Sequence, residues 1–471
     1  MLALELIDAA LVLARKHVDG GGEAVDVVAD APGVALLEDQ TTVTGLDALQ
    51  RLKVKPLLAH TNFWRGLSIQ PLTRPSRVAG TTADVAFAQA EKLLGPFKQG
   101  NQSVLLAVPA GYNRDQLGLL LGVINETGVR VAGLVDAALA ACSLEPSPAR
   151  VLHLDLELHQ AVLTVLEYSG GEHPGLKRSR YEIALRHGLL GIQQTLMQFI
   201  AENFVRKTRF DPLHEASSEQ RLVDQLPAWL SELQQAETIT MSFQFGEREL
   251  QLEMERSQLI AAAEPHYVEL LRLVQGARVA GMAIELRVSQ RVASMPGLLD
   301  RLRTLRDCAI QVLPPAAAAW GALQYEKSIR RAPDSLALVY QLPVPRAETG
   351  EEQTSDVEAT PPQLRPTHVL FQGRAWSIDE QPLTIGWAVE GRQRALTLPN
   401  ALPGISRAHC TLIRRNGAVM VEDHSTYGSF VNDEKVAGRT TLTVGDRLRL
   451  GSPGVTLELI QLVNDDGAPQ D

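Results

Sequence analysis

Glu422-Asp-His-Ser-Thr-Tyr-Gly-Ser-Phe-Val-Asn432, with Ile405-Ser-Arg-Ala-His-Cys410 upstream of it, sets the character of the C-terminal part of this 471-residue chain. Neither stretch carries apolar residues at helical spacing. Both are short apolar pieces cut by Gly, Asn, Asp and Ser, the residues that make turns. Gly428 allows a turn between strands, and Asn432 secures the loop that follows. Outward from these blocks, Leu383-Thr-Ile-Gly386 and Leu396-Thr-Leu398 have strand length. Arg414-Arg415 runs into Asn416-Gly417, a hairpin turn rather than a nucleic-acid patch. From Pro366 onward the chain is expected to be all β.

Upstream of Pro366, Ala347 to Leu364 holds five acids (Glu348, Glu351, Glu352, Asp356, Glu358), no base, no aromatic and a Pro361-Pro362 pair. Such a segment buries too little apolar surface to offset its ordering entropy, so 345–365 is expected to be a disordered acidic linker. Before it, strands and helices alternate. Ser103 to Val108 is an apolar run ended by Pro109, and Asn113 to Thr127 places Leu117, Leu120, Leu121 and Ile124 on one helical face, with Gly128 as its stop. Val129 to Val135 reads as a strand and Asp136 to Ser143 as an Ala-rich helix. Val151 to Glu157 and Ala161 to Glu167 read as a hairpin. Leu189, Ile192, Leu196 and Phe199 form a further helix face, and Trp229, Leu230 and Leu233 read as helix core. Ile284 to Val288 is strand-like, and Ser294-Met-Pro296 is expected to open a helix with a Ser cap. Strands interleaved with helices make residues 1–344 an α/β structure.

Composition narrows the function. Hydrophobic residues are 45% and aromatics only 5%, so the cores must be built from Leu, Val and Ala. A net charge of −10 argues against bulk attraction to nucleic acid or anionic lipid. The surplus is uneven, since 366–464 holds ten bases against nine acids and is free to accept an anion. Cys142, Cys308 and Cys410 form no C-x-x-C pair and read as reduced thiols. Met1-Leu-Ala-Leu-Glu5 lacks a basic n-region, and no run of eighteen apolar residues occurs, so a cytoplasmic location without membrane insertion is expected. No metal-ligand spacing, nucleophile motif or P-loop occurs, and His187 and His266 stand isolated. No metal, no cofactor and no catalytic residue is expected.

Val104-Leu-Leu-Ala-Val-Pro-Ala-Gly-Tyr-Asn-Arg-Asp-Gln116 resembles the "V-P-A" strand and following helix of DnaK-type heat-shock chaperones. Gly128-Val-Arg-Val-Ala-Gly-Leu-Val-Asp-Ala-Ala-Leu-Ala-Ala141 and Pro314-Pro-Ala-Ala-Ala-Ala-Trp-Gly-Ala322 resemble two later blocks of that family, in order. The resemblance covers Met1 to Leu342 and implies an actin-like, ribonuclease-H-like fold of two lobes around a cleft that binds ATP in the family. The three loops that would hold the phosphates are degenerate. "D-L-G-T-T" corresponds to Glu5-Leu6-Ile7-Asp8-Ala9, and "D-L-G-G-G-T" to Asp155-Leu156-Glu157-Leu158-His159-Gln160. "G-G-S-S-R-I-P-G" corresponds to Gln290-Arg291-Val292-Ala293-Ser294-Met295-Pro296-Gly297. Glycines that would let backbone N–H groups reach a phosphate are lost, and Asp8 and Glu157 add negative charge. The implied activity is a pseudo-ATPase, with neither ATP nor Mg bound. Asp136 and Asp155 read as acids left on the cleft rather than as metal ligands.

The C-terminal blocks resemble a forkhead-associated (FHA) domain over Thr367 to about Val463. Leu383-Thr-Ile-Gly386 resembles its "I-G-R" strand and Ile405-Ser-Arg-Ala-His-Cys410 its "V-S-R-x-H-A". Glu422 to Asn432 resembles "x-D-x-S-x-N-G-T-x-V-N", and Val444-Gly-Asp446 resembles "L-x-x-G-D". The resemblance implies a β-sandwich that reads phosphothreonine by charge-assisted hydrogen bonds. Ser406 and Arg407 would hold phosphate, Thr426 and Tyr427 would meet the peptide, and His409 would brace the loops. Two positions depart from the family: Trp387 replaces the arginine of "I-G-R", and Tyr427 the asparagine of "S-x-N-G". Arg392 and Arg394 either supply the missing charge or are solvated surface residues.

The combined expectation is a non-enzymatic cytoplasmic scaffold. Residues 1–344 form the actin-like pseudo-ATPase, 345–365 the linker, 366–464 the FHA module and 465–471 an acidic tail. The partner is a protein, threonine-phosphorylated or merely threonine-containing. The alternative is an ATP-dependent chaperone-like or cytoskeletal switch with rebuilt phosphate loops, regulated through its FHA domain.

Overall fold

Leu2–Ile7 (β1) is buried along its whole length, and alternation sorts its side chains onto two faces. Leu2, Leu4 and Leu6 enter one apolar core and Ala3 and Ile7 another, which puts Glu5 on the second face. A strand covered on both sides reads as a continuous apolar run, and the acid inside that run is the exception. In this computed structural model the described residues are 1–19, 22–100, 102–170, 174–246, 248–278, 283–332, 335–347, 366–371, 374–389, 394–398, 404–415, 418–432, 434–436, 438–451 and 454–461. The chain divides into two compact units, residues 1–350 and 351–471.

In the first unit, β1 pairs antiparallel with Ala10–Asp19 (β2), which pairs antiparallel with Gly22–Ala31 (β3). On its other edge β1 runs parallel to Ser103–Val108 (β4), and β4 to Arg130–Asp136 (β5). The order is β3-β2-β1-β4-β5, extended past β5 by Leu338–Val339. The same order recurs in a second sheet made of Arg150–Leu156 (β6), Gln160–Ser169 (β7), Gly175–Leu185 (β8), Ile284–Val288 (β9) and Cys308–Val312 (β10). There it reads β8-β7-β6-β9-β10, with Gln341–Leu342 beside β8. Leu152, Leu154 and Leu156 of β6 enter the outer core of that sheet, as Leu2, Leu4 and Leu6 do in theirs.

Helices cover the outer faces. Thr82–Leu94 (α1) and Arg114–Glu126 (α2) pack on the first sheet, and α2 starts where Asn113 and Gln116 form a reciprocal capping box. Two helices connect the halves. Ala137–Cys142 (α3) follows β5 and is capped by Asp136. On the second sheet lie Leu189–Thr208 (α4), Ala216–Glu232 (α5) and Arg256–Gly276 (α6), with Trp229, Leu230 and Leu233 buried in that core. Ala317–Gln324 (α7) follows β10 yet rests on β1 and β4 of the first sheet. α3 and α7 meet backbone to backbone, since a Cβ on Gly321 would lie 1.8 Å from the Ala140 carbonyl oxygen. A core shared by both sheets surrounds this contact.

The expectation of a helix opened by Ser294-Met-Pro296 is corrected. Gln290–Ala293 is helical with Ser289 as its cap, and the next helix, Leu298–Arg303, starts after Gly297 at φ 74°. That left-handed glycine, directly after Pro296, moves the start of the helix past the serine.

The second unit is a β-sandwich of two sheets. One contains His368–Phe371 (β11), Arg374–Ser377 (β12), Ser429–Val431 (β17), Glu434–Lys435 (β18), Arg447–Leu450 (β20) and Val455–Ile460 (β21), in the order β12-β11-β21-β20-β17-β18. The other contains Leu383–Gly386 (β13), Ala395–Thr397 (β14), Cys410–Arg415 (β15), Ala418–Asp423 (β16) and Arg439–Leu442 (β19), in the order β14-β13-β15-β16-β19. Alternate residues such as Leu383 and Ile385, Val419 and Val421, and Leu457 and Leu459 fill the core. β15 and β16 pair antiparallel through Cys410↔Asp423 to Arg415↔Ala418, the hairpin read from Asn416-Gly417. Those two residues, the linker from 348 on, Arg392 and the tail 465–471 lie outside the described residues. No helix among the described residues is long and apolar enough to cross a membrane.

Candidate functional site: the loop end of the sandwich and the cleft of the first unit

β13 ends at Gly386, where a Cβ would lie 2.1 Å from the Arg407 carbonyl oxygen. Only glycine permits that approach, and it lets the Ala388 N–H donate to the Arg407 carbonyl at 3.0 Å. Trp387 therefore sits beside the Ser406-Arg407 segment. The Arg407 guanidinium carbon lies 5.6 Å from the Trp387 ring centroid, a cation–π contact, and Arg407 itself is exposed.

Buried His409 ties two loops together. Its Nδ1 accepts from the Ser406 N–H at 3.0 Å, and its Nε2 donates to the Gly428 carbonyl at 3.1 Å. This pattern requires the neutral Nε2–H tautomer, and burial lowers the imidazole pKa in agreement with it. Ser406 Oγ accepts from the Thr426 N–H at 3.1 Å. Asp423 accepts from the Ser425 N–H at 3.2 Å and from the Ser429 hydroxyl at 2.8 Å, and Ser425 Oγ accepts from the Gly428 N–H at 2.7 Å. Burial would raise the Asp423 pKa, but these serine hydrogen bonds hold it below the ordinary carboxylate range. Asn432, at φ 51°, bonds Asp446 through Nδ2 at 2.7 Å and the Arg447 N–H through Oδ1 at 3.0 Å.

The structure thus brings Ser406, Arg407, Thr426 and Tyr427 to one end of the sandwich, with Tyr427 59% exposed. Arg394 is not among them. It donates to Asp379, to the Gln381 carbonyl and to Ser377, near the opposite end of β13. Thr384 pairs with Ala395 and Gly386 with Thr397, so strand rise puts Arg394 more than about 10 Å from Trp387. One cation escaped the sequence reading. Lys435, on β18, has its Cε 2.9 Å from where a Gly428 Cβ would stand. Its place at the loop comes from the pairing of β17 with β18, which no motif announces.

Compared with protein families, residues 384–451 match the FHA domain. This segment is an FHA domain, a β-sandwich module of phosphothreonine-dependent protein interaction. Strands β11, β12 and β21 of the sandwich lie outside the matched span. No curated protein matches the chain.

In the first unit, Glu5, Asp8, Asp155, Glu157, Gln290 and Arg291 converge between the two sheets. Glu5 of β1 and Asp155 of β6 share Arg291. Its Nε and Nη2 donate to Asp155 at 3.0 and 2.7 Å, and Nη2 also donates to Glu5 at 3.0 Å. Burial pushes Glu5 above the usual carboxyl range, whereas for Asp155 the two-point contact with Arg291 outweighs burial and holds it below. Asp8 Oδ1 accepts from the Leu158 N–H at 2.7 Å, linking one hairpin turn to the other. Glu157 accepts from Gln160 at 2.6 Å, and burial together with the nearby Asp8 pushes its pKa up to about 8. Gln290 donates to the Leu313 carbonyl at 2.8 Å. Asp136 pairs with Arg178 at 2.7 Å. Among the described residues no group of three or more His, Cys, Asp or Glu is placed to hold a metal ion. His187 and His266, far apart in sequence, meet edge to face at 5.0 Å between ring centroids.

Proposed function

We propose that this chain is a non-enzymatic cytoplasmic interaction protein. In this reading the FHA module docks a threonine-phosphorylated segment of a protein partner, and residues 1–344 serve as an actin-like pseudo-ATPase platform. The observation that carries it is the convergence of Ser406, Arg407 and Thr426 at one exposed loop end, joined by the Thr426 N–H to Ser406 Oγ bond. Phosphate would meet the Ser406 hydroxyl and the Arg407 guanidinium, with Lys435 supplying charge from the other side. Trp387 orients Arg407 in place of the clamp that an arginine would have made. Tyr427 would pack on the peptide beside the phosphothreonine.

The repeated strand order of the two sheets and the connecting helices α3 and α7 favour the actin-like reading. The pairing of Arg291 with both cleft acids favours an idle cleft, because a side-chain cation already fills the electrostatic role of a bound metal. Two measurements test the proposal. A phosphothreonine peptide library is applied to the full chain and to Ser406→Ala, which is expected to bind about tenfold or more weakly. Equal binding of phosphorylated and unphosphorylated libraries would leave only phospho-independent docking. Calorimetric titration with Mg-ATP is expected to show no binding, and micromolar affinity would instead support the ATP-driven switch.

A further inference from the structure

The repeated strand order leaves one long strand at the margin of each sheet in the first unit. β3 is the outermost strand of its sheet, and no strand among the described residues lies beyond it. β8 is accompanied on its outer side only at its start. There Leu176 and Lys177 pair with Leu342 and Gln341, and the Arg178 N–H donates to the Tyr340 carbonyl at 2.9 Å. The register of β8 against β7 then shifts past Ser179. From Arg180 to Leu185 no strand among the described residues lies outside β8. Such an edge presents a row of backbone N–H and C=O groups ready for another strand.

The two edges carry the same pattern in opposite charge. β3 holds three acids and no base, and residues 175–186 hold four bases against one acid. On β3, exposed Val27 and Val28 lie between exposed Asp26 and Asp30. On β8, Tyr181, Ile183 and Leu185 lie between Arg180 and Arg186, and they are 38%, 43% and 55% exposed. Alternation puts those three side chains on one face. Glu182, 3.3 Å from Arg180, offsets one of the four bases, and His17, 3.4 Å from Asp26, is a counter-charge only when protonated.

We propose that β3 of one copy of this chain docks as an added strand on the free edge of β8 of a second copy. Charged edge strands keep like edges apart: β3 on β3 would set acid against acid, and β8 on β8 base against base. β3 on β8 sets acids against bases around an apolar centre, so the same charges that forbid the symmetric contacts select the mixed one. Backbone hydrogen bonds join the strands, and Val27 and Val28 meet the stripe of Tyr181, Ile183 and Leu185. The contact is heterologous, because it uses two different surfaces of one unit. Every dimer keeps a free β3 and a free β8, and association continues past two copies. A single short edge is small beside a standard interface of about 1,600 Å², so the contact is weak and depends on concentration.

The test is sedimentation velocity on the full, unphosphorylated chain from roughly 5 to 200 µM, at about 50 and about 500 mM salt. The weight-average sedimentation coefficient is expected to rise past the dimer value at low salt and to rise much less at high salt. Asp26→Lys and Arg180→Asp should each remain monomeric, with circular dichroism confirming the fold of each variant. Their equimolar mixture should associate again, since the native β3 of the Arg180→Asp copy still fits the native β8 of the Asp26→Lys copy. Ser406→Ala should associate like the wild type, which separates this contact from phosphothreonine reading by the FHA module. A wild type that stays monomeric at the highest concentration, or association that ends at a dimer, would overturn the proposal. So would single variants that associate like the wild type, a mixture that stays monomeric, or loss of association in Ser406→Ala.

Discussion

Replacing Arg291 by methionine keeps much of the side-chain length and deletes the charge that Glu5 and Asp155 share. The three side chains are 18%, 5% and 7% exposed, so little water is at hand to take over. Removing one partner of a buried pair costs about 3–5 kcal/mol. The partial exposure of the guanidinium, and the ability of either carboxyl to take up a proton, reduce the expected loss to about 2–4 kcal/mol at pH 7. The pH dependence carries a definite sign. In the wild type the Asp155 pKa is lowered, so its stabilisation is present above the unfolded value of about 3.9 and is lost as pH falls through the folded one. In Arg291→Met both carboxyls should titrate above their unfolded values, which favours the fold below about pH 4 and withdraws that favour as pH rises. The deficit of the variant should therefore be largest near neutrality and shrink on acidification. Urea unfolding followed by the fluorescence of buried Trp64 and Trp229, at pH 7 and at about pH 4.5, reads both quantities. An unchanged midpoint at pH 7, or a deficit that grows toward acid, would refute the reasoning.

Trp387→Arg should raise phosphothreonine-peptide affinity by about tenfold or more, since a charged hydrogen bond contributes about 1.5–3 kcal/mol, and anisotropy with a labelled peptide measures it. His409→Ala strips the Ser406 N–H and the Gly428 carbonyl of their partners and should cost about 2–4 kcal/mol in the FHA unit, seen as faster amide exchange over 404–409 and 424–430. Because burial lowers the His409 pKa, its contribution in the wild type is present above about pH 6.5 and is lost as pH falls through the folded value, which exchange at pH 5 and pH 7.5 will show. Gly321→Ala places a Cβ against the Ala140 carbonyl and should destabilise the first unit by about 3 kcal/mol, measured by its urea midpoint.

The sandwich was legible because its turn residues and alternation are local. Ser425 and Gly428 shape their loop within three residues, and His409 follows Ser406 by three positions in the loop it braces, whereas Gly386 and Asn432 act across loops on Arg407 and on Asp446. The role of Arg394 was not legible, because its partners at 377, 379 and 381 are set by how β13 and β14 pair. The cleft acids could be read as anomalies, since a carboxylate in a run such as Leu-Ala-Leu-Glu-Leu-Ile has no place on a purely apolar strand. Their common counter-ion could not. Arg291 is 286 residues from Glu5 in sequence, and only the juxtaposition of two sheets brings them within 3.0 Å. Lys435 and the His187–His266 contact escaped for the same reason, being products of pairing and packing rather than of spacing.

The sharing of Arg291 also bears on how the first unit comes apart. The strand order is repeated, but the segment after β4, Pro109-Ala-Gly-Tyr-Asn113, has no cation corresponding to the one after β9. Glu5 must borrow its counter-ion from the other half, and the β1 face that carries it is covered by a helix, α7, that follows β10. Neither half holds all it needs to be a free-standing foldon. Exchange-protected amides in β1 and β6 should therefore open together, and a fragment ending before Gln290 should not retain native protection in the first sheet.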